Sequence, residues 1–461
     1  MVALALLVTV LAPVTASRPA LLAQDLVPIA PYSTPGPVLA GLVEPDPLVE
    51  EMLAQVDRAT LRQYEEWLTG EEPVQIGGQL FVIATRYTHS ATQIQKATQF
   101  AYEHLDALGL EVAYHQWEGD TYPNVIATRE GLTSPDEIYI LSAHLDSLPE
   151  GPIAPGADDN ASGSTGVLMA ADILSQYDFG CTLKFALWTG EEQGMRGSAA
   201  WADWASDEGL DIRGVLNMDM IAHDAIDSPV LDLHARSLVT GSVEMANLFA
   251  DVVEVYELDL EPELWVDNWL GTRSDNRSFW DEGYAAILAI EDYDDFNPNY
   301  HTVDDNLSAL NLTYMAEVVR ASMATLVHSS GCLLDEGVGQ LDGHLTEVGG
   351  ELSGAGAPVA GATVSMRNET GQTFQTLSDG AGYYTRTLPS GIYTVSASSL
   401  GYRPETVSGL SIVSGTVTTQ DFGLQRIEKL EWRLYLPLLQ RDGQGILWLG
   451  GESESVLSKV P

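Results

Sequence analysis

The chain has 461 residues, which is enough for two or three domains and a substantial core. It carries 66 Asp and Glu residues against 21 Lys and Arg, a formal net charge of −45. Such an acidic surface repels phosphate backbones and anionic headgroups, which argues against nucleic-acid or membrane-surface partners. No segment approaches about 18 uninterrupted apolar residues, so no membrane span is predicted. The two cysteines, Cys181 and Cys332, are compatible with one disulfide or with two buried thiols.

The N-terminal segment has the pattern of an export signal. An apolar run over 1–11 is followed by the small residues of 14–16, although no Lys or Arg precedes Arg18. We expect a signal peptide over 1–23, and secretion by a bacterial-type export route. An extended Pro-rich leader is expected over 24–44.

Periodicity then predicts helices, followed by alternating strands and helices. Apolar residues recur at helical spacing from Asp46 to Gly70 and again from Ala91 to Leu108. From Glu137 onward the alternation predicts an α/β domain with a mostly parallel mixed sheet flanked by helices. The expected strands are 110–114, 124–128, 138–142, 183–189, 215–218, 229–234 and 284–290, and the expected later helices are 163–177, 197–205, 242–256 and 312–328.

The composition and the hydrophobic pattern of the sequence change after about residue 340. Short alternating segments at 362–366, 383–387 and 392–397 are separated by turn residues such as Asp379-Gly380. Regularly spaced short strands of this kind predict a small all-β sandwich domain over 340–424. The remaining tail, 425–461, has no predicted placement.

Side chains of the metal-binding type follow the strands of the α/β domain. They are His144, Asp146 and Asp158 after strand 138–142, Glu191 and Glu192 after strand 183–189, Asp219 after strand 215–218, and His301 after strand 284–290. The carboxyl ends of parallel strands open on one crevice. We therefore expect these side chains to converge there.

Two histidines and three carboxylates suit two Zn²⁺ ions about 3.5–4 Å apart, with one carboxylate shared. We expect Asp158 to be the shared ligand, because it lies in a tight Gly-led loop. His144 and Asp219 would complete one set of ligands, and Glu192 and His301 the other. Glu191 is left over and is expected to act as the general base, while Asp146 accepts the other ring N–H of His144 and fixes its tautomer.

Five segments together resemble the M28 family of co-catalytic zinc aminopeptidases: 142–146, 155–159, 190–194, 217–220 and 300–305. The resemblance covers about 45–335. It implies a zinc-exopeptidase fold of the phosphorylase/hydrolase-like class, two zinc ions, and removal of N-terminal residues from peptide or protein substrates. The β-rich region resembles the transthyretin-like regulatory domain of carboxypeptidases at 361–364 and 382–384, which implies an accessory role.

One motif departs from the family pattern. Many relatives have Ser-Asp-His where this chain has Ser274-Asp275-Asn276, so one imidazole is missing, while Asp275 is still expected to order the ligands. Before this motif, Trp265 and Trp269 either line a substrate pocket or pack in the core.

Three alternative functions stay open. The scaffold also supports carboxypeptidases or dipeptidases, which need a basic pocket that Arg273 or Arg277 could supply. A single-zinc glutaminyl cyclase is disfavoured because His144 and His301 are both present. An inactive secreted binding protein is disfavoured by the complete set of ligands and base.

Overall fold

The computed structural model describes residues 43–119, 121–226, 228–334, 337–348 and 356–427, together with the backbone of 437–442 and 445–450. The expected signal peptide, nearly all of the leader and most of the tail lie outside the described residues. In the part that is described, no helix is both long and apolar enough to cross a membrane.

Two helices occupy the segment where the periodicity suggested one helical run. They are α1 (Pro47–Ala54) and α2 (Arg58–Leu68). The chain breaks at Asp57, whose backbone is extended and whose carboxylate caps α2 by accepting a hydrogen bond from the Thr60 N–H. A short hairpin of β1 (Val74–Ile76) and β2 (Gln79–Phe81) follows, and then α3 (Thr92–Ala107).

An eight-stranded mixed sheet forms the centre of the α/β region. Its strands are β3 (Glu111–His115), β4 (Asn124–Arg129), β5 (Ser134–His144), β6 (Cys181–Trp188), β7 (Asp211–Met218), β8 (Val230–Ala235), β9 (Glu261–Val266) and β10 (Ala286–Glu291). The order is β3-β4-β6-β5-β7-β10-β8-β9. The central strands β6, β5, β7 and β10 run parallel, while β4 and β8 are antiparallel to their inner neighbours. The predicted fold class is confirmed; β9 is a strand that the sequence pattern did not indicate.

Helices cover both faces of this sheet. They are α4 (Gly163–Leu174), α5 (Arg196–Asp207), α6 (Ser242–Val255), α7 (Asn276–Asp281) and α8 (Leu312–Ser330). Successive residues of β6 alternate between two apolar clusters: Phe185 and Leu187 face the cluster under α4, α6 and α8, and Ala186 and Trp188 face the cluster under α5 and α7. A disulfide between Cys181 and Cys332 joins the start of β6 to the segment after α8.

The β-rich region folds as two four-stranded sheets around one core. Its strands are β11 (Val338–Val348), β12 (Thr363–Asn368), β13 (Thr373–Leu377), β14 (Tyr383–Pro389), β15 (Gly391–Ser398), β16 (Glu405–Ile412), β17 (Val417–Thr419) and β18 (Phe422–Gln425). One sheet has the order β14-β11-β17, with β18 also paired to β11; the other is β13-β12-β15-β16. The predicted all-β region is thus confirmed. In the tail, β19 (Pro437–Asp442) and β20 (Gly445–Gly450) form an antiparallel pair.

Candidate metal centre

The carboxyl ends of the four central strands meet at one edge of the sheet, and each contributes to a single cluster. His144 is the last residue of β5 and is 1% exposed, and Asp219 directly follows β7. Glu192 lies in the loop after β6, and His301 in the long loop after β10. The expected convergence of these four residues is present in the structure.

Asp159 lies at the middle of this cluster and faces both histidines. Its Oδ1 is 3.2 Å from His144 Nε2, and its Oδ2 is 3.1 Å from His301 Nε2. Asp219 Oδ1 is also 3.2 Å from His144 Nε2, and Glu192 Oε2 is 2.9 Å from His301 Nε2. The result is two sets of three ligand atoms that share one carboxylate: His144, Asp159 and Asp219, and Asp159, Glu192 and His301.

The predicted shared ligand, Asp158, is corrected by this geometry to its neighbour Asp159. The carboxylate of Asp158 turns away from the histidines and accepts hydrogen bonds from Ala222 N–H at 3.0 Å and from Asn297 Nδ2 at 3.1 Å. Adjacent side chains in this loop point in different directions, so only one of the two aspartates can lie between His144 and His301.

Asp305 and Gly156 set which aspartate turns inward. The two oxygens of Asp305 each accept a hydrogen bond at 3.1 Å, one from the Asp158 N–H and one from the Asp159 N–H. Gly156 has a φ of +50°, and a Cβ there would lie 2.4 Å from the backbone oxygen of Asp159. Only glycine fits this approach, so the tight loop predicted from the sequence is required for the placement of Asp159.

The buried atoms of the cluster fit a bound cation. Asp159 Oδ2, Glu192 Oε1 and His301 Nε2 have no hydrogen-bond partner among the described residues, although His301 Nε2 lies close to two carboxylate oxygens. Polar atoms that converge in a buried site without hydrogen-bond geometry are costly unless they have another partner. Imidazole nitrogen and carboxylate oxygen are ligands that Zn²⁺ accepts, and each set of three leaves a coordination position open.

The charges of the cluster also favour a cation. Burial by itself would lower the pKa of His144, but Asp219, Asp146 and Asp159 surround the ring and raise that pKa. Burial likewise opposes protonation of His301, whereas Asp159 and Glu192 outweigh it and raise the pKa of His301 to about 9. Burial, with a contribution from Asp159, raises the pKa of Glu192 to about 8. Crowded carboxylates of this kind are stabilised by positive charge placed among them.

Asp146 links the two strand ends that carry the cluster. Its carboxylate accepts hydrogen bonds from Thr88 Oγ1 at 2.7 Å and from the backbone N–H groups of Glu191 at 3.2 Å and Glu192 at 3.3 Å. The nearest acceptor to His144 Nδ1 is the backbone oxygen of Asp146 at 3.0 Å, while the carboxylate lies 3.6 Å away. Asp146 therefore orients His144 mainly through its backbone, and its side chain holds the Glu191–Glu192 loop.

Glu191 lies beside the cluster and belongs to neither set of ligands. Burial raises its pKa, His144 lowers it, and the carboxylates of Asp275 and Asp219 raise it further. A carboxyl group with a raised pKa, next to but outside a metal site, is suited to accept and return a proton near neutral pH. The expectation that Glu191 acts as the general base stays a prediction.

Arg86 is a supporting residue whose role the sequence did not reveal. Its fully buried guanidinium donates to four backbone oxygens: those of Leu68, Leu145, Pro155 and Gly156, at 2.6–2.8 Å. These contacts fasten the chain after His144 to the loop before Asp158. A sequence gives no indication of which backbone oxygens an arginine will bind.

The Ser274-Asp275-Asn276 segment lies behind the cluster. Ser198 Oγ donates to Asp275 Oδ1, and Asn276 Nδ2 donates to the Gly271 oxygen at 2.8 Å. Burial raises the pKa of Asp275 to about 7, His144 lowers it, and Asp146 and Asp219 raise it, which places this carboxyl near the ligands. Of the two tryptophans, Trp265 donates to Asp232 at 2.7 Å, whereas Trp269 is 57% exposed.

Two parts of the chain match the models of known protein families. Residues 124–326 match the model of Peptidase family M28, and residues 351–425 match that of a carboxypeptidase regulatory-like domain. The first match includes the five residues of the two candidate ligand sets and Glu191, and the second covers most of the β-rich region.

Individual relatives are aminopeptidases that are similar over part of their length. Aminopeptidase Y of Saccharomyces cerevisiae is 30% identical over 46% of this chain and 39% of its own length. Leucine aminopeptidase 1 of Neurospora crassa is 27% identical over 49% of this chain and 58% of its own length. The chain thus spans about half of these curated relatives. The LapA aminopeptidase of Legionella pneumophila shares the fold, with a TM-score of 0.53 and 18% identity over 62% of this chain and 76% of that one.

Proposed function

Because residues 124–326 match the model of Peptidase family M28, we propose that this chain is a secreted aminopeptidase that holds two Zn²⁺ ions and removes N-terminal residues from peptides. The placement of Asp159, with one oxygen toward His144 and the other toward His301, carries the proposal. His144 and Asp219 would complete one zinc site, and Glu192 and His301 the other. When bound, zinc would polarise the peptide carbonyl and lower the pKa of the attacking water.

The residues around the zinc sites would move the proton and hold the substrate. Glu191 takes the proton of the attacking water and returns it to the amine of the leaving peptide, so that the C–N bond breaks as an N–H bond forms. The carboxylates around Asp219 hold the free N-terminal amine of the substrate by charge. Asp146 and Arg86 keep the loops that carry Glu191 and Asp159 in position.

Secretion is supported by the covalent chemistry of the chain. The disulfide between Cys181 and Cys332 is of a kind that persists in oxidising compartments outside the cytoplasm. The N-terminal apolar run points the same way. Mass spectrometry of the culture medium of an expressing cell would test this, since we expect a mature chain that begins at about residue 24, after the expected signal peptide.

The activity is tested by hydrolysis of leucine p-nitroanilide by the purified protein, with and without a chelator. We expect a chelator to abolish the release of p-nitroaniline and added zinc to restore it. Glu191→Gln should reduce kcat by about 100- to 10,000-fold while two zinc ions per chain are retained. Glu208→Gln, an exposed residue at the end of α5, is the matched control and should leave kcat unchanged.

Two outcomes would contradict the proposal in different ways. A wild-type protein that holds two zinc ions but releases no product from any unblocked peptide would favour a binding protein over an enzyme. Full activity in Glu191→Gln would leave the aminopeptidase proposal intact but would show that Glu191 is not the general base.

A further inference from the structure

A row of rings leads away from the metal centre. Tyr300 stacks on His301 with ring centroids 3.6 Å apart, Phe296 follows at 5.2 Å, Tyr293 at 5.7 Å and His234 at 5.7 Å. An apolar cluster of Met220, Leu288 and Ile290 packs against the three middle rings. We call the rings from Tyr300 to His234 the aromatic row.

The far end of the aromatic row meets the segment 269–274. Gly271 packs directly on His234, because a Cβ at Gly271 would lie 2.6 Å from the Cβ of that histidine. Three residues later, Ser274 Oγ accepts a hydrogen bond of 2.8 Å from Asn217 at the end of β7, two residues before Asp219. The segment therefore borders the crevice on the Asp219 side, between the end of β7 and the end of the aromatic row.

Arg273 is the charged residue of this segment, and its guanidinium has no acidic partner among the described residues. The side chain is exposed, its Cζ lies 5.9 Å from the ring centroid of Trp269, and it has no ion pair or hydrogen bond to any other described residue. The other exposed or half-exposed arginines of residues 43–334 are bonded: Arg62, Arg129, Arg196, Arg213, Arg236, Arg277 and Arg320 pair with carboxylates, and Arg58 donates to Thr313.

An unpaired arginine is notable on a chain with 66 acidic residues and only 21 basic ones. Arg273 follows Gly271, which packs on His234, and precedes Ser274, which accepts a hydrogen bond from Asn217, so its backbone lies on the Asp219 side of the metal centre. In keeping with this position, burial and the charge of Asp219 raise the pKa of Tyr293, and Arg273 opposes the increase. Contact with the Trp269 face restrains the guanidinium and leaves its N–H groups available. A planar guanidinium in this state is a ready partner for a carboxylate, which it can bind through two parallel hydrogen bonds.

We infer that Arg273 is a specificity-determining residue that binds a carboxylate of the substrate at the far end of the aromatic row. This inference rests on the proposed peptidase function and names its substrate class. A substrate whose N-terminal amine lies at Asp219 would direct its first side chain toward the neighbouring segment 269–274, with a terminal carboxylate at Arg273. An N-terminal glutamate has this chemistry, and the C-terminal carboxylate of a dipeptide is the other possible source.

Equilibrium binding tests the inference independently of turnover. Calorimetry on the zinc-loaded protein would compare L-glutamate with L-glutamine, which differ only in the charged group. We expect glutamate to bind about ten-fold more tightly in the wild type, as for one hydrogen-bonded charged pair at a partly exposed site. The preference should disappear in Arg273→Gln and persist in Arg277→Gln, whose parent residue already pairs with Asp281 at 3.3 Å.

A second pair of ligands separates the two sources of the carboxylate. Leu-Gly and its C-terminal amide would be compared in the same three proteins, in the Glu191→Gln background so that neither is consumed. A preference for glutamate that depends on Arg273 assigns the site to the first side chain, and a preference for the free dipeptide that depends on Arg273 assigns it to the C-terminal carboxylate. Wild-type protein that binds both members of each pair equally, or preferences that survive in Arg273→Gln, would overturn the inference. Failure of the peptidase proposal is measured separately: the zinc-loaded protein would release no p-nitroaniline from leucine p-nitroanilide.

Discussion

The two folded regions of this chain differ in what they bury. In the α/β region the buried residues include His144, Asp146, Asp159 and Asp219, which are 0–7% exposed. In the described part of the β-rich region, Ser378 is the only buried polar residue, and the core consists of side chains such as Leu341, Val364 and Phe422. Buried ionisable groups cost stability unless they are paired or bind an ion, so their concentration in one region indicates where the chemistry takes place.

Within the α/β region, the two adjacent aspartates Asp158 and Asp159 are expected to differ most in their effect on activity. Asp159→Asn should reduce kcat/KM for leucine p-nitroanilide by at least about 1,000-fold, because it removes the only carboxylate shared by both sets of ligands. Asp158→Asn alters a hydrogen-bonded supporting residue and should weaken zinc binding by about 10- to 100-fold at most. Activity and zinc content measured on both variants decide the matter. The reverse order of effects would restore Asp158 as the shared ligand.

The disulfide stabilises the α/β region. The β-rich region has no cysteine and therefore no such bond. Replacing Cys181 and Cys332 together by alanine should lower the free energy of unfolding by about 5 kcal/mol in the chain-entropy account, since the two cysteines are 151 residues apart. Urea unfolding with a probe in the α/β region would measure the change. A loss below about 1 kcal/mol would mean that the unfolded chain gains little freedom when the bond is absent.

A substitution in the β-rich region tests whether that region is only accessory to the activity. Phe422→Ala removes a buried ring from the β-rich core and should cost about 3–5 kcal/mol of stability in that region. We expect kcat/KM for leucine p-nitroanilide to change by less than about two-fold under conditions where the variant stays folded. A fall in activity in parallel with the loss of stability would show that the β-rich region supports the site directly.

The smallest effect concerns pH, through a histidine that is not a ligand. Burial lowers the pKa of His234 to about 3, whereas the ring titrates near 6.5 in an unfolded chain. The unfolded state therefore binds more protons below pH 6.5, and the native state loses stability as the pH falls from 6.5 toward 3. At pH 5 the loss is about 2 kcal/mol. Above pH 6.5 there is none.

His234→Leu should remove this part of the acid sensitivity. The free energy of unfolding would be measured at pH 7.5 and pH 5 in the wild type, in His234→Leu and in His344→Leu, which removes an exposed histidine of the β-rich region. Only the first variant should show a smaller decrease between the two pH values. An unchanged decrease would mean that His234 becomes protonated in the folded protein without cost.

Much of this architecture could be predicted from the sequence because strand ends and metal-binding residues coincide along the chain. The positions of His144, Asp219, Glu192 and His301 follow from the apolar strands that precede them. The choice between Asp158 and Asp159 does not, because it depends on Asp305, which lies almost 150 residues away, and on the backbone at Gly156. The break between α1 and α2 was missed because apolar residues keep their spacing across Asp57, and α7 is too short to show a periodicity.

The most direct test of the account is a crystal structure of the zinc-loaded protein with anomalous data recorded at the zinc absorption edge. We predict two anomalous peaks about 3.5–4 Å apart, with one oxygen of Asp159 bound to each ion and Asp158 bound to neither. A single peak, or two peaks bridged by Asp158, would contradict the assignment on which the proposed function depends.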